Sequence, residues 1–160
     1  MSANKLSLEL SGLYTLGLYP VRDEFNINEK LNNLQASIYY DITNTGKLGI
    51  SFGKETFPIW VKDDNGELSA RNSVTWYGLS FRQLFDTYIS RFGIFPYVQV
   101  TTAATVNGPF VKSSAGLGWM PDQRVTFYFG LDYSALLQRY NNNYELNRKS
   151  GFIYNVNINF

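Results

Sequence analysis

The chain ends in GFIYNVNINF, residues 151–160. From Phe152 onward every second residue is large and apolar: Phe152, Tyr154, Val156, Ile158 and Phe160. Asn155, Asn157 and Asn159 occupy positions between them, with Ile153 the one exception. A period of two is that of a β-strand, whose successive side chains point to opposite faces. A strand with one oily face and one amide face has to lie at a boundary between an apolar and a polar medium. The feature constrains the whole fold because it recurs along the chain.

A first strand is predicted over 5–16, with Leu6, Leu8, Leu10, Tyr14 and Leu16 opposite Ser7, Glu9, Ser11 and Thr15. A second over 32–42 sets Leu34, Ala36, Ile38, Tyr40 and Ile42 against Gln35, Ser37, Tyr39 and Asp41. Thr43-Asn44-Thr45-Gly46 makes a tight turn into a third strand over 47–54, with Leu48, Ile50 and Phe52 on its apolar side. The fourth, 73–82, pairs Thr75, Tyr77, Leu79 and Phe81 with Val74, Trp76, Gly78, Ser80 and Arg82 on the reverse. In the fifth, 93–105, Ile94, Pro96, Val98 and Val100 point outward. The sixth, 110–120, places Val111, Ala115, Leu117 and Trp119 opposite Lys112, Ser114, Gly116 and Gly118. The seventh, 124–136, alternates Val125, Phe127, Phe129, Leu131 and Tyr133 with Thr126, Tyr128, Gly130, Asp132 and Ser134. The closing stretch is the eighth. Residues 17–30, 55–72 and 137–149 read as polar or Pro/Gly-rich loops, with a turn at Asp64-Asn65-Gly66. Between strands four and five, Phe81, Leu84, Phe85, Tyr88, Ile89 and Phe92 recur at helical spacing. Residues 83–91 are therefore either a short amphipathic helix on a membrane surface or a plain turn.

Eight strands of eight to thirteen residues bracket the about nine to eleven that a tilted strand needs to cross a bilayer. Alternation alone does not say which face meets solvent, and three arguments turn the apolar face outward. An eight-stranded barrel has an interior only wide enough for side chains to fill it, and rows of Leu, Phe and Tyr overfill that space. Charged residues are 17% of the chain and aromatics 17%, whereas the outer surface of a soluble domain needs about 25–35% charge. Aromatics also gather near strand ends, at Tyr14, Trp119, Tyr133, Phe152 and Phe160, as in the girdles of membrane barrels. The fold class expected is therefore all-β: an eight-stranded antiparallel up-and-down transmembrane barrel, residues 1–160 forming one domain. A soluble lipocalin-like ligand-binding barrel, with the apolar face inside, is the opposing reading.

The sequence limits the chemistry. Net charge is +1, so a nucleic-acid partner is not expected. Cysteine and histidine are both absent, which excludes disulfides and Cys/His metal sites. No basic region followed by an apolar run opens the chain. For an exported protein, Met1 then stands where a signal peptide or an upstream domain has been removed.

Strand eight, with Tyr154, Val156, Ile158 and the terminal aromatic Phe160, resembles the assembly signal of bacterial outer-membrane proteins. The whole pattern resembles small eight-stranded outer-membrane barrels of the OmpX and OmpA transmembrane-domain type. That resemblance implies residence in the bacterial outer membrane, contact with its lipid and lipopolysaccharide, and recognition by the outer-membrane insertion machinery. Some such barrels modify lipid A, usually with a serine–histidine pair. A chain without histidine cannot build one, so no enzyme activity and no cofactor are expected.

Glu9, Asp41, Arg82, Lys112 and Asp132 fall on the polar face and are expected to form a charge network in the lumen. The network either fills a closed lumen or lines a narrow pore for small solutes. Glu55, Asp63, Asp64 and Glu67 lie near one loop but lack a recognised Ca²⁺-ligand spacing, so no metal is assigned. Loop residues Phe57 and Trp60 are the expected contacts for a protein partner or lipopolysaccharide, unless they cap the barrel mouth or lie back on the bilayer. The function expected is that of a membrane anchor or surface interaction module with a plugged lumen.

Overall fold

The computed structural model describes residues 6–14, 33–63, 66–85, 92–140 and 143–160. Eight antiparallel strands follow one another around a closed ring: β1 (Leu6–Tyr14), β2 (Asn33–Asp41), β3 (Gly46–Asp63), β4 (Gly66–Leu84), β5 (Ile94–Thr105), β6 (Gly108–Asp122), β7 (Val125–Tyr140) and β8 (Asn143–Asn159). β1 pairs with β8 from Ser7↔Asn159 to Tyr14↔Phe152 and closes the barrel.

The register keeps like faces together. Ile158 lies opposite Leu8, Leu8 opposite Ile38, Ile38 opposite Ile50, and Ile50 opposite Leu79. A slip of one residue anywhere would send an apolar row to the other face, so this pattern pins the pairing. The row faces outward. Leu10, Ile50 and Leu131 are 57%, 65% and 62% exposed, while Ser37, Ser80 and Arg82 on the opposite face are wholly buried. Only a lipid exterior makes that arrangement favourable, and the soluble-barrel reading is overturned. Aromatics border the apolar belt. Trp119 and Phe127 stack at 5.6 Å near the short-turn end, and Phe52, Tyr77, Tyr133 and Phe152 stand exposed towards the other.

The strands run longer than their amphipathic cores. Residues 55–63 and 66–72, expected as a loop, instead extend the β3–β4 hairpin in continuous pairing from Glu55↔Val74 to Asp63↔Gly66, and Asp64 and Asn65 of the expected turn lie outside the described residues. Pro58 is tolerated because of where its missing N–H would point. The Thr56 N–H donates to Asn33 Oδ1 on the β2 side, at 2.8 Å. Alternate N–H groups share a side, so a proline two residues on costs the β4 ladder nothing. β7 and β8 likewise pair out to Tyr140↔Asn143 through a stretch expected as a loop. The described residues contain no helix. Gln83 and Leu84 continue β4 and pair with Val98 and Tyr97, because the β5 edge offers them backbone partners. Residues 86–91 lie outside the described residues.

The lumen holds more bulk than a face of Gly, Ser, Thr and Asn would suggest. Tyr39, Trp76, Tyr97, Tyr128, Phe57, Phe95 and Phe110 all point inward and are buried. Three of them fit because their rings lie over glycines on the neighbouring strand. Tyr39 covers Gly49, Trp76 covers Gly53 and Phe95 covers Gly118, each a direct cross-strand pair. A Cβ added at those glycines would come within 2.6, 2.8 and 2.4 Å of the ring. On the lipid side Tyr154 covers Gly12 in the same way.

Candidate functional site in the lumen

Inward parity on each strand places charge on the barrel axis, and the structure sorts it into two clusters. The first lies towards the chain termini. Arg82 on β4 reaches across the lumen to Glu9 on β1 with two contacts, Nη1 to Oε2 at 2.6 Å and Nη2 to Oε1 at 2.7 Å. This bidentate fork is the strongest ion-pair geometry available to these side chains. Arg82 Nε also donates to Gln99 Oε1 at 2.9 Å. Ser11 and Asn155 donate to Glu9 Oε1 at 3.3 and 3.4 Å. Three tyrosine rings surround the guanidinium, at 4.1 Å (Tyr128), 4.7 Å (Tyr39) and 5.6 Å (Tyr97) from their centroids. Their electron-rich faces offset part of the desolvation of the cation.

The second cluster lies towards the long hairpins. Glu55 on β3 holds two lysines, Lys112 of β6 and Lys149 of β8, each at 2.7 Å and each on its own carboxylate oxygen. Lys112 also faces Asp132 at 3.7 Å, and Asp132 accepts from Ser134 at 3.0 Å. Lys149 donates to Asn33 Oδ1 at 2.7 Å and to the Thr56 carbonyl at 3.0 Å. This one ammonium thereby ties β8 to β2 and β3 above the shorter β1. Phe57, Val74, Trp76, Phe110 and Leu136 form an apolar cluster beside it, and Lys149 Nζ sits 4.6 Å from the Phe57 ring centroid. The dry neighbours strengthen the ion pairs and raise the cost of breaking them. In the two clusters three cations meet three carboxylates.

Between them runs a ladder of hydroxyls. Ser51 donates to Ser37 at 2.8 Å. Each hydroxyl has one proton, so Ser80 must donate to Ser51 (2.6 Å) and Thr101 to Ser80 (2.7 Å). Gln35 Nε2 completes the run by donating to Ser37 at 3.0 Å. The ladder links β2 to β5 through small side chains alone.

Of the five residues expected in a lumen network, Glu9, Arg82, Lys112 and Asp132 are buried inside, split between the two clusters. Asp41 instead pairs with Lys47 at 2.8 Å at the turn-end mouth, where Asp41 is partly exposed and Lys47 is buried. Its position beside the 42–45 turn leaves it too near the end of the barrel to reach the others. Phe57 is corrected from an exposed loop contact to a wholly buried ring on β3. Trp60 belongs to β3 opposite Ser69, and its side chain lies outside what the structure describes. Glu55, considered with the loop carboxylates, is a lumen residue committed to two lysines. Tyr154, Val156, Ile158 and Phe160 all face outward, and the Phe160 N–H donates to the Leu6 carbonyl at 2.9 Å at the closing seam. Sequence reading missed Glu55, Lys149 and Lys47 as lumen groups. Parity alone, continued past residue 54 and back before residue 151, would have found the first two.

No protein-family model matches the chain. No curated protein matches it either. Solved structures do. The chain is similar to the N-terminal β-barrel domain of Pseudomonas aeruginosa OprF, at 16% identity over 97% of this chain and 98% of that one, with a TM-score of 0.57. It is similar to Neisserial surface protein A at 12% identity, covering 97% and 96% of the two chains, with a TM-score of 0.58. A de novo designed transmembrane β-barrel matches at 10% identity over 98% of each chain, with a TM-score of 0.52. Likeness at these identities is one of fold. Together with an oily exterior and a polar lumen, it defines the fold: a closed eight-stranded transmembrane β-barrel.

Proposed function

We propose that the chain serves as an outer-membrane anchor or surface interaction module whose lumen is closed to solutes. The observation that carries this reading is the wall-to-wall bonding inside the barrel. Glu9 to Arg82 and Glu55 to Lys112 each join strands three places apart around the ring. Aromatic clusters stand beside both, Phe95, Tyr97 and Tyr128 at one level and Phe57, Trp76 and Phe110 at the other. An ion passing through would have to separate these buried charge pairs and leave each partner desolvated and uncompensated. The projecting β3–β4 and β7–β8 hairpins then supply the surface on which an interaction module acts. Planar-bilayer recording of the purified chain tests the reading. Quiet membranes are expected, and a stable, large single-channel conductance would replace it with a pore.

A further inference from the structure

The two long hairpins rise past their neighbours, and each of their strands then has a backbone edge with no strand beside it. β2 pairs with β3 no further than Leu34↔Lys54, and β5 with β4 no further than Trp76↔Thr105. β3 and β4 stay paired with each other as far as Asp63↔Gly66. Such an edge is a template for another strand unless something blunts it. On β3 the Thr56 N–H donates to Asn33 Oδ1, the Thr56 carbonyl accepts from Lys149 Nζ, and Pro58 has no N–H to offer. On β7 the Arg139 N–H donates to the Asn107 carbonyl. β8 continues past Tyr14 of β1, and the residues that follow Tyr14 lie outside the described ones.

The edge of β4 differs. The Leu84 N–H donates to the Thr45 carbonyl on the β3 side, and the Phe85 N–H to the Pro96 carbonyl on the β5 side. The β3–β4 register runs without a shift from Gln83 to Gly66, so this alternation carries through the hairpin. Ser73, Arg71, Ser69 and Glu67 therefore turn their N–H and carbonyl groups to the side of β5. At their level β5 has ended. It turns at Val106 and Asn107 into β6, and the turn bonds to itself, with Thr105 Oγ1 accepting from the Asn107 and Gly108 N–H groups at 3.0 and 3.1 Å.

We propose that this edge of β4 takes an extended segment of another protein as an added strand, antiparallel to β4 in the line that β5 vacates. Backbone hydrogen bonds supply the affinity, as wherever a peptide extends a sheet. Register supplies the selectivity. A segment running in the direction of β5 passes the position of Arg71 first and that of Glu67 four residues later. Opposite charges favour each other at directly opposed positions. The fitting segment thus carries an acidic residue four places before a basic one. A second copy in the same membrane does not fit. A two-fold axis along the membrane normal makes the two β4 strands cross at about 70–90°, twice their tilt. This inference rests on the interaction-module reading above and names the kind of partner it takes.

The test uses the full chain in phosphatidylcholine nanodiscs and two fluorescent peptides of Thr and Val. One has Glu four residues before Lys, and the other has the two exchanged. Fluorescence anisotropy should show the first binding about fivefold more tightly than the second. Ser69→Pro should weaken that binding about tenfold, because it removes one N–H from the edge, whereas Ser69→Ala should not. The hairpin should accept this proline as β3 accepts Pro58, which heat-modifiable gel migration checks. N-methylation of the Glu and Lys amides of the peptide makes the same test on the unaltered chain and should also abolish tight binding. Equal binding of the two peptides, no binding of either, or undiminished binding of the N-methylated peptide overturns the added strand. A large conductance in the planar-bilayer recording would instead overturn the closed lumen and leave the peptide result standing, so the two failures are distinct.

Discussion

The two charged clusters of the lumen solve one problem in different ways. Near the termini, Glu9 and Arg82 satisfy each other one to one, and rings and amides enclose the pair. Near the long hairpins, Glu55 is shared between Lys112 and Lys149, and each lysine has further acceptors in Asp132, Asn33 or the Thr56 carbonyl. The first arrangement has one ion pair for its charge compensation, and the other partners, Gln99, Ser11 and Asn155, are neutral. The second spreads it over several bonds, so that losing one leaves partial compensation. In a protein interior the cost of a lost ion pair depends on what the orphaned partner can still reach.

That contrast can be broken by mutation, and the largest effect is expected at Arg82. Arg82→Met strands the Glu9 carboxylate among tyrosines and should destabilise the barrel by about 3–5 kcal/mol, read by urea unfolding in micelles. Replacing Glu9 by Leu in the same chain should recover most of that loss, because a buried pair exchanged for apolar side chains is often nearly neutral. If the double variant is no more stable than the single one, the pair does more than neutralise charge.

Glu55→Gln should cost less, about 1.5–3 kcal/mol, the range for hydrogen bonds to a charged group. Lys112 keeps Asp132, and Lys149 keeps Asn33 and the Thr56 carbonyl. A loss as large as that of Arg82→Met would show the second cluster to be as brittle as the first. The smallest effect belongs to the ladder between them. Ser80→Ala removes one acceptor and one donor from a buried run and should cost about 1–2 kcal/mol. Because the four hydroxyls act in series, Ser51→Ala combined with Ser80→Ala should cost less than the sum of the two. Strict additivity would mean that the bonds are independent.

How much of this was legible beforehand varies along the chain. Parity gave the inward or outward direction of Glu9, Arg82, Lys112 and Asp132, because a strand in lipid cannot present charge to acyl chains. It failed at Phe57 and Glu55 because Pro58 and the charges beyond it read as a loop. Past the bilayer edge lipid no longer forces alternation, so hairpin pairing continues without its usual signature. Parity also placed Tyr39, Tyr97 and Tyr128 inside as fillers of a plugged lumen, but not the seating of Trp76 and Phe95 over Gly53 and Gly118 of the adjacent strand.

Sequence alone determined the strand count, the lipid-facing rows and the side of the wall on which the polar residues lie. All three follow from a two-residue period meeting an apolar solvent, which is a local property. Only the tertiary structure decided that Glu9 meets Arg82, that Glu55 divides itself between two lysines, and that Asp41 stays with Lys47 at the mouth. Those partners sit on strands far apart in the chain. The closure and stagger of the barrel choose which side chains share a level across the lumen, and no local pattern encodes that stagger.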